Sequence, residues 1–189
     1  MRSSLVFVLA LLVAGCEGPP GAAGKIVTRS VDDDTYVAEG EAGVFHVDEQ
    51  VLEVGRTPQT HSYMKFELNG LNDVLSARIF FTALATSGAQ VSITALAVED
   101  DAWDAEFMTF GNKPLTGVAL GVIQVSSDHR YDLDLTSYVV AQLTEAVPVG
   151  EVASASIALV VTSGATGEVV LRSSEDEDNE GPELAILPF

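Results

Sequence analysis

Residues 63–68 read Tyr63-Met64-Lys65-Phe66-Glu67-Leu68, and apolar and polar side chains alternate along them. Successive side chains of a strand point to opposite faces, so Met64, Phe66 and Leu68 share one face. The opposite face carries Tyr63, Lys65 and Glu67. The stretch therefore predicts a β-strand that is buried on one side and polar on the other.

Further strand-like stretches lie on both sides of this one, separated by turn-forming pairs such as Asn69-Gly70 and Ser87-Gly88. They are rich in β-branched residues, and they cover residues 36–38, 44–47, 51–54, 76–84, 91–98, 118–125, 155–162, 168–172 and 183–187. Residues 135–143 predict one short helix, because a Thr or Asp cap precedes Tyr138 and Leu143 at near-helical spacing. About ten strands without β–α alternation predict an all-β fold, an antiparallel β-sandwich of the jelly-roll type with one short helix.

The irregular stretch 100–114 contains the single tryptophan, Trp103. Trp103, Phe107 and Phe110 follow one another at spacings of four and three residues, so they can converge on one side of a wound segment. Three such rings would bury enough apolar area to hold a long connection against the sheet. We therefore expect Trp103 to anchor its loop rather than to stack on a ligand.

The N-terminus has the pattern of a lipoprotein signal. A charged start precedes ten apolar residues, and Ala14 and Gly15 stand directly before Cys16. This predicts a signal peptide over residues 1–15 and a lipidated Cys16, with a flexible tether over residues 16–24. The remaining residues, 25–189, form one predicted domain of an exported protein held at the bacterial envelope, at the outer membrane or cell surface.

The negative net charge of the chain limits the classes of partner that it can bind. The chain has 28 acidic residues against 9 basic ones and a formal net charge of −19. This argues against nucleic acid and against an anionic membrane surface, since both require cationic patches. Membrane association is therefore expected through the lipid anchor alone.

No catalytic signature is visible in the sequence. It lacks a Gly-x-Ser-x-Gly motif and a phosphate-binding loop, and its three histidines are too scattered to predict a zinc site. We therefore expect no enzymatic activity. Several acidic stretches supply enough carboxylate oxygens to bind one structural Ca²⁺ ion. The alternative is that they are solvent-exposed loops without a metal. The candidate ligands are Asp32, Asp34, Asp100, Asp101 and Asp104.

Six motifs, in order through the predicted domain, are similar to the DNRLRE-type domains that are grouped with carbohydrate-binding module family 96. They are Asp34-Thr35-Tyr36-Val37, Leu52-Glu53-Val54-Gly55, residues 63–68 with Val74-Leu75-Ser76-Ala77, Trp103 through Pro114, Asp134 through Val139, and Arg172 through Leu184. Two departures are Phe110, where the family has a second Trp, and a displaced Arg172. The resemblance implies a jelly roll that binds polysaccharide, with acidic polysaccharides such as alginate among the ligand classes.

Strand parity places one set of candidate side chains on the outer face of a sheet. They are Tyr63, Lys65, Glu67, Arg78, Phe80 and Arg172. The three cations would suit a uronic-acid-containing polysaccharide. The alternative is that Lys65 and Arg172 make structural ion pairs with acids such as Glu175. The sequence thus predicts a membrane-tethered, non-catalytic polysaccharide-binding module. The alternative function is a structural or adhesive envelope lipoprotein that has the fold without sugar binding.

Overall fold

The computed structural model describes residues 24–145, 152–178 and 180–189. This part of the chain is mostly strand, with one α-helix, and the predicted all-β fold class is confirmed. The elements are β1 Val27–Ser30, β2 Asp33–Ala38, β3 Val51–Arg56, β4 Gln59–Glu67, β5 Val74–Thr86, β6 Val91–Val98, β7 Thr116–Val125, β8 His129–Asp134, α1 Thr136–Thr144, β9 Ser154–Val161, β10 Glu168–Arg172 and β11 Glu183–Pro188.

The strands form one antiparallel sheet that curls back on itself. Its order is β1-β11-β5-β10-β3-β4-β9-β6-β7, with β8 paired to β5 and β2 paired to β4. The hairpin between β3 and β4, where Gly55 lies opposite Thr60, joins two halves. We call β1, β3, β5, β8, β10 and β11 the β5 half, and β2, β4, β6, β7 and β9 the β4 half.

The main core lies between the two halves, as expected for a sandwich. Met64 and Phe66 of β4 contribute to one cluster with Ile79 and Phe81 of β5, and all four are fully buried. The inner faces predicted from the alternation are thus confirmed. Each such side chain contributes about 1.5–3 kcal/mol through burial.

A second apolar cluster lies on the outside of the β4 half, beneath residues 99–115, which we call the covering segment. Tyr63 of β4 packs there with Val37, Val98, Met108 and Ala158, and Trp103 and Phe110 close over them. The segment contains a short 3-10 turn, Ala105–Phe107, whose first turn is capped by the Asp104 side chain. It therefore covers an outer sheet face that the sequence predicts to be polar.

The structure differs from the predicted strands at three places. Residues 44–47 form no strand, because His46 stacks on Tyr36 at a centroid distance of 4.0 Å and bonds to Glu41 at 2.9 Å. These side-chain contacts hold the loop without a backbone ladder. Strands β1 and β8 were not predicted. The predicted signal peptide, Cys16 and the tether up to residue 23 lie outside the described residues.

Helix α1 confirms the predicted short helix. Asp134 accepts a hydrogen bond from the Thr136 amide at 2.9 Å, and the Thr136 hydroxyl accepts one from the Ala77 amide at 3.0 Å. The helix start is thereby tied to β5, and Val139 is buried in the main core. Within the described residues, no helix is long and apolar enough to cross a membrane.

Candidate functional site

The outer face of β5 presents an aromatic ring between two ion pairs. Phe80 lies opposite Glu183 of β11 on one side and Asp132 of β8 on the other. Arg78 donates from Nε to Asp132 Oδ2 at 2.6 Å, and Arg130 pairs with Glu183. The Arg130 guanidinium also lies 5.1 Å from the Phe80 ring centroid. We call these five residues the β5 face.

The ion pairs of the β5 face are open to solvent. The side chains of Arg78 and Arg130 are 47% and 51% exposed, whereas those of Lys65 and Arg172 are 14% and 19% exposed. Exposed ion pairs contribute only about 0–1 kcal/mol, so a ligand can replace one partner at little cost. The β5 face therefore offers hydrogen-bond donors, acceptors and an apolar surface together.

Arg172 forms ion pairs with the acidic turn that follows β10. Its Nη1 donates to both carboxylate oxygens of Asp176 at 2.7 Å and to Asp178 at 3.1 Å, and its Nε lies 3.4 Å from Glu180. Asp176 is the least exposed of the three acids at 10%, whereas Asp178 and Glu180 are open to solvent. Arg172 thus fixes the acidic turn that follows β10, which is the structural ion-pair alternative.

Lys65 lies on the other half of the sandwich and binds the covering segment. Its Nζ is 3.4 Å from Asp33 Oδ2, donates to the Trp103 carbonyl and lies 4.4 Å from the Trp103 ring centroid. Asp33 Oδ2 also accepts the Ala105 amide at 3.2 Å. Lys65 and Arg172 therefore do not form one cationic strip with Arg78.

Tyr63 corrects the parity prediction. It does point to the outer face of β4, but the covering segment buries it completely. Its ring meets Trp103 in an edge-on arrangement with centroids 6.1 Å apart, and Trp103 Nε1 donates to Ser156 Oγ at 3.2 Å. Tyr63 is therefore a packing residue, and Trp103 is the anchor that the sequence predicts.

The covering segment also differs from prediction in which residues point inward. Trp103 and Phe110 pack on the second cluster, but Phe107 is exposed and Met108 takes the inner position. The 3-10 turn Ala105–Phe107 winds more tightly than an α-helix, which shifts the inward direction by one residue.

Glu67 lies away from the β5 face, at the end of β4. It lines a depression of about 220 Å³ with Arg29 and Asp32. Among the predicted site residues, Arg78 and Phe80 are the two that lie on the β5 face. Arg130, Asp132 and Glu183 complete the β5 face and were not predicted.

Four of the five acids proposed as calcium ligands accept hydrogen bonds from the protein. Asp34 is buried and accepts from the Ser174 amide at 2.8 Å and from its hydroxyl at 2.9 Å. Asp101 accepts the Ser154 hydroxyl at 2.7 Å, and Asp100 and Asp104 each accept an amide two residues further on at 2.9 Å. No group of three or more potential metal ligands gathers among the residues that the structure describes.

A cleft of about 590 Å³ runs between α1 and the ends of β6 and β7. Its lining includes Glu99, Asp100, Asp101 and Glu145. Four carboxylates repel a polyanion, so the cleft does not suit an acidic polymer. The β5 face differs from the cleft because it carries two arginines, Arg78 and Arg130, beside its carboxylates.

The profile of carbohydrate-binding module family 96 matches residues 25–187, which is most of the chain. The chain belongs to this family. The family match confirms the resemblance seen in the motifs.

A curated relative of this family 96 module is a gellan lyase from Bacillus sp.. The two are 27% identical over 93 residues, which is 45% of this chain and 4% of the relative. The chain thus corresponds to a small part of that protein.

Proposed function

We propose that this family 96 module is a non-catalytic protein that binds polysaccharide on the β5 face. The observation that carries the proposal is the position of Phe80 between two solvent-exposed ion pairs. An aromatic ring packs against the apolar face of a sugar, while charged groups beside it bind the hydroxyls. The strand register spaces these groups across three neighbouring strands, which suits an extended polymer.

The finer proposal is that the polymer carries carboxylates. A ligand carboxylate can take the place of Asp132 or Glu183 on its arginine, because these exposed pairs contribute only about 0–1 kcal/mol. Arg78 and Arg130 are the cations that can make this exchange. Lys65 and Arg172 remain in their structural pairs. A gellan lyase among the relatives supports a polysaccharide ligand for this chain as well.

The proposal includes attachment to the bacterial envelope through a lipid on Cys16. The support is the order of charged start, apolar run and small residues before the cysteine. The alternative is a structural or adhesive lipoprotein that has lost its ligand. It is favoured by the structural pairing of Lys65 and Arg172.

Affinity electrophoresis in gels containing alginate, pectin or a neutral glucan tests the proposal. We expect retardation that is stronger in the two acidic gels and is reduced by Arg78→Gln, Arg130→Gln and Phe80→Ala. Arg56→Gln is the matched control, because Arg56 is an exposed arginine at the end of β3, away from the β5 face. Unchanged mobility in every gel would favour the structural lipoprotein, and retardation that survives all three variants would move the site elsewhere.

A further inference from the structure

Exposed apolar side chains gather at one end of the β5 half. Ile26, Leu75 and Phe189 are 61%, 47% and 79% exposed. Their neighbours pair across β1, β11 and β5: Val27 lies opposite Ile186, Ser76 opposite Leu187, and Val74 opposite Pro188. The three residues therefore lie at the same end of the β5 half, which we call the apolar end.

The chain enters the domain at this same surface. A Cβ added to Gly24 would lie 2.2 Å from the Pro188 carbonyl oxygen, so the backbone of Gly24 packs directly on the end of β11. Gly24 is the first described residue and is eight residues after Cys16. An extended chain of that length reaches at most about 30 Å, comparable to the thickness of one domain.

The charge of the apolar end is unlike that of the rest of the molecule. Residues 24–27, 73–76 and 187–189 include two charged side chains, Lys25 and Asp73, and the α-carboxylate of Phe189, so they carry a net charge of about −1. The whole chain has a formal net charge of −19. Of the surfaces near the tether, this one can approach a lipid headgroup layer without strong repulsion.

We propose that the apolar end rests on the lipid bilayer, with Ile26, Leu75 and Phe189 at the level of the headgroups. The inference builds on the proposed lipid anchor at Cys16, because the anchor fixes which surface meets the membrane. Burial of one such side chain shifts a contact equilibrium by roughly tenfold, and the short tether keeps the local lipid concentration high. The module is thereby oriented rather than free to tumble.

Tryptophan quenching on vesicles tests this orientation. The chain from Cys16 onward has one cysteine, which is coupled to a maleimide lipid in phosphatidylcholine vesicles with brominated acyl chains. Phe189→Trp and Leu75→Trp each add a probe to the background of Trp103. We expect both added probes to lose emission in brominated vesicles relative to unbrominated ones. Phe107→Trp is the matched control, because Phe107 is an exposed phenylalanine on the covering segment.

Ile26→Glu and Leu75→Glu, combined with the Phe189→Trp probe, should lower the equilibrium constant for membrane contact by roughly tenfold or more. The bromine-dependent quenching of the probe should fall accordingly. Equal quenching of the Phe107 and Phe189 probes, or none of either, would overturn the proposal. A probe signal that depends on protein density and not on bromine would instead assign the apolar end to a second copy. Chemical coupling makes the result independent of whether cells lipidate Cys16.

Discussion

Asp34 is buried and His61 is half-buried, and the two side chains respond to pH in opposite senses. Burial raises the pKa of Asp34 to about 6, against the lowering effect of the Ser174 hydrogen bonds. Burial, helped by the charge of Lys113, lowers the pKa of His61 to about 4. Both environments favour the neutral side chain, which is the protonated form of Asp34 and the deprotonated form of His61.

The two groups therefore act on stability against each other between about pH 4 and pH 6.5. The folded state binds the Asp34 proton more tightly than the unfolded state, so this contribution is full below about pH 3.8 and is lost as pH rises through 6. The His61 contribution is full above about pH 6.5 and is lost as pH falls towards 4. The two contributions are opposite in sign over this range, so part of the pH dependence cancels in the parent.

Asp34→Asn should reveal the pH dependence of stability that His61 contributes. The amide keeps partners for the Ser174 amide and hydroxyl, yet it does not titrate, so the free energy of unfolding should fall as the pH is lowered from 7 to 5. His61→Phe should show the reverse slope. Urea unfolding of both variants and the parent at pH 7, 6 and 5 measures the slopes. The same slope in all three proteins would contradict these assignments.

The covering segment is held by a few contacts at its ends and centre. Lys65 donates a hydrogen bond to the Trp103 carbonyl, and Asp33 accepts one from the Ala105 amide. The side chains of Trp103, Met108 and Phe110 form the apolar underside of the segment. Because it has little secondary structure of its own, its order depends on these side chains. The second cluster is consequently the place where one substitution should affect a whole element.

Trp103→Ala should lower the free energy of unfolding by about 3 kcal/mol, because it removes most of the ring packing over Tyr63 and the bond to Ser156. Phe107→Ala, in the same segment but exposed, should change it by less than about 0.5 kcal/mol. Chemical unfolding of the two variants makes the comparison. Similar losses in both would show that Trp103 is not the anchor.

Strands with a clear apolar alternation were predictable from the sequence, and so was α1. Strand β8 was not, because residues 129–134 contain two aspartates, a residue type that strands disfavour, so only Tyr131 and Leu133 hint at a period of two. Missing β8 meant missing Arg130 and Asp132, which are two of the five residues of the β5 face.

The burial of Tyr63 was also unpredictable from its own strand. Alternation tells which side of a sheet a residue faces, but it does not tell what covers that side. The cover comes from residues 99–115, more than thirty positions away. For the same reason, the sequence placed Arg78 and Lys65 on one surface although they lie on opposite halves.

At the scale of the molecule, the two outer faces of the sandwich differ in how far they are covered. The β4 half is partly closed by the covering segment, while the β5 face is open. Arg78 lies three residues along β5 from Leu75, about 10 Å from the apolar end. A module resting on that end would therefore hold its proposed sugar face sideways to the membrane, where a long polymer can run past it.

Cys16→Ala should abolish membrane attachment in the producing bacterium. The thiol is the proposed site of the lipid, so the variant lacks the group to which the acyl chain would be attached. Cell fractionation should move the variant out of the membrane fraction or leave it as the uncleaved precursor, and the parent should show an added acyl mass by mass spectrometry. Ser4→Ala, which changes the signal but leaves Ala14-Gly15-Cys16 intact, should behave as the parent does. If the Cys16 variant is cleaved normally and stays with the membrane, another part of the chain holds the module there.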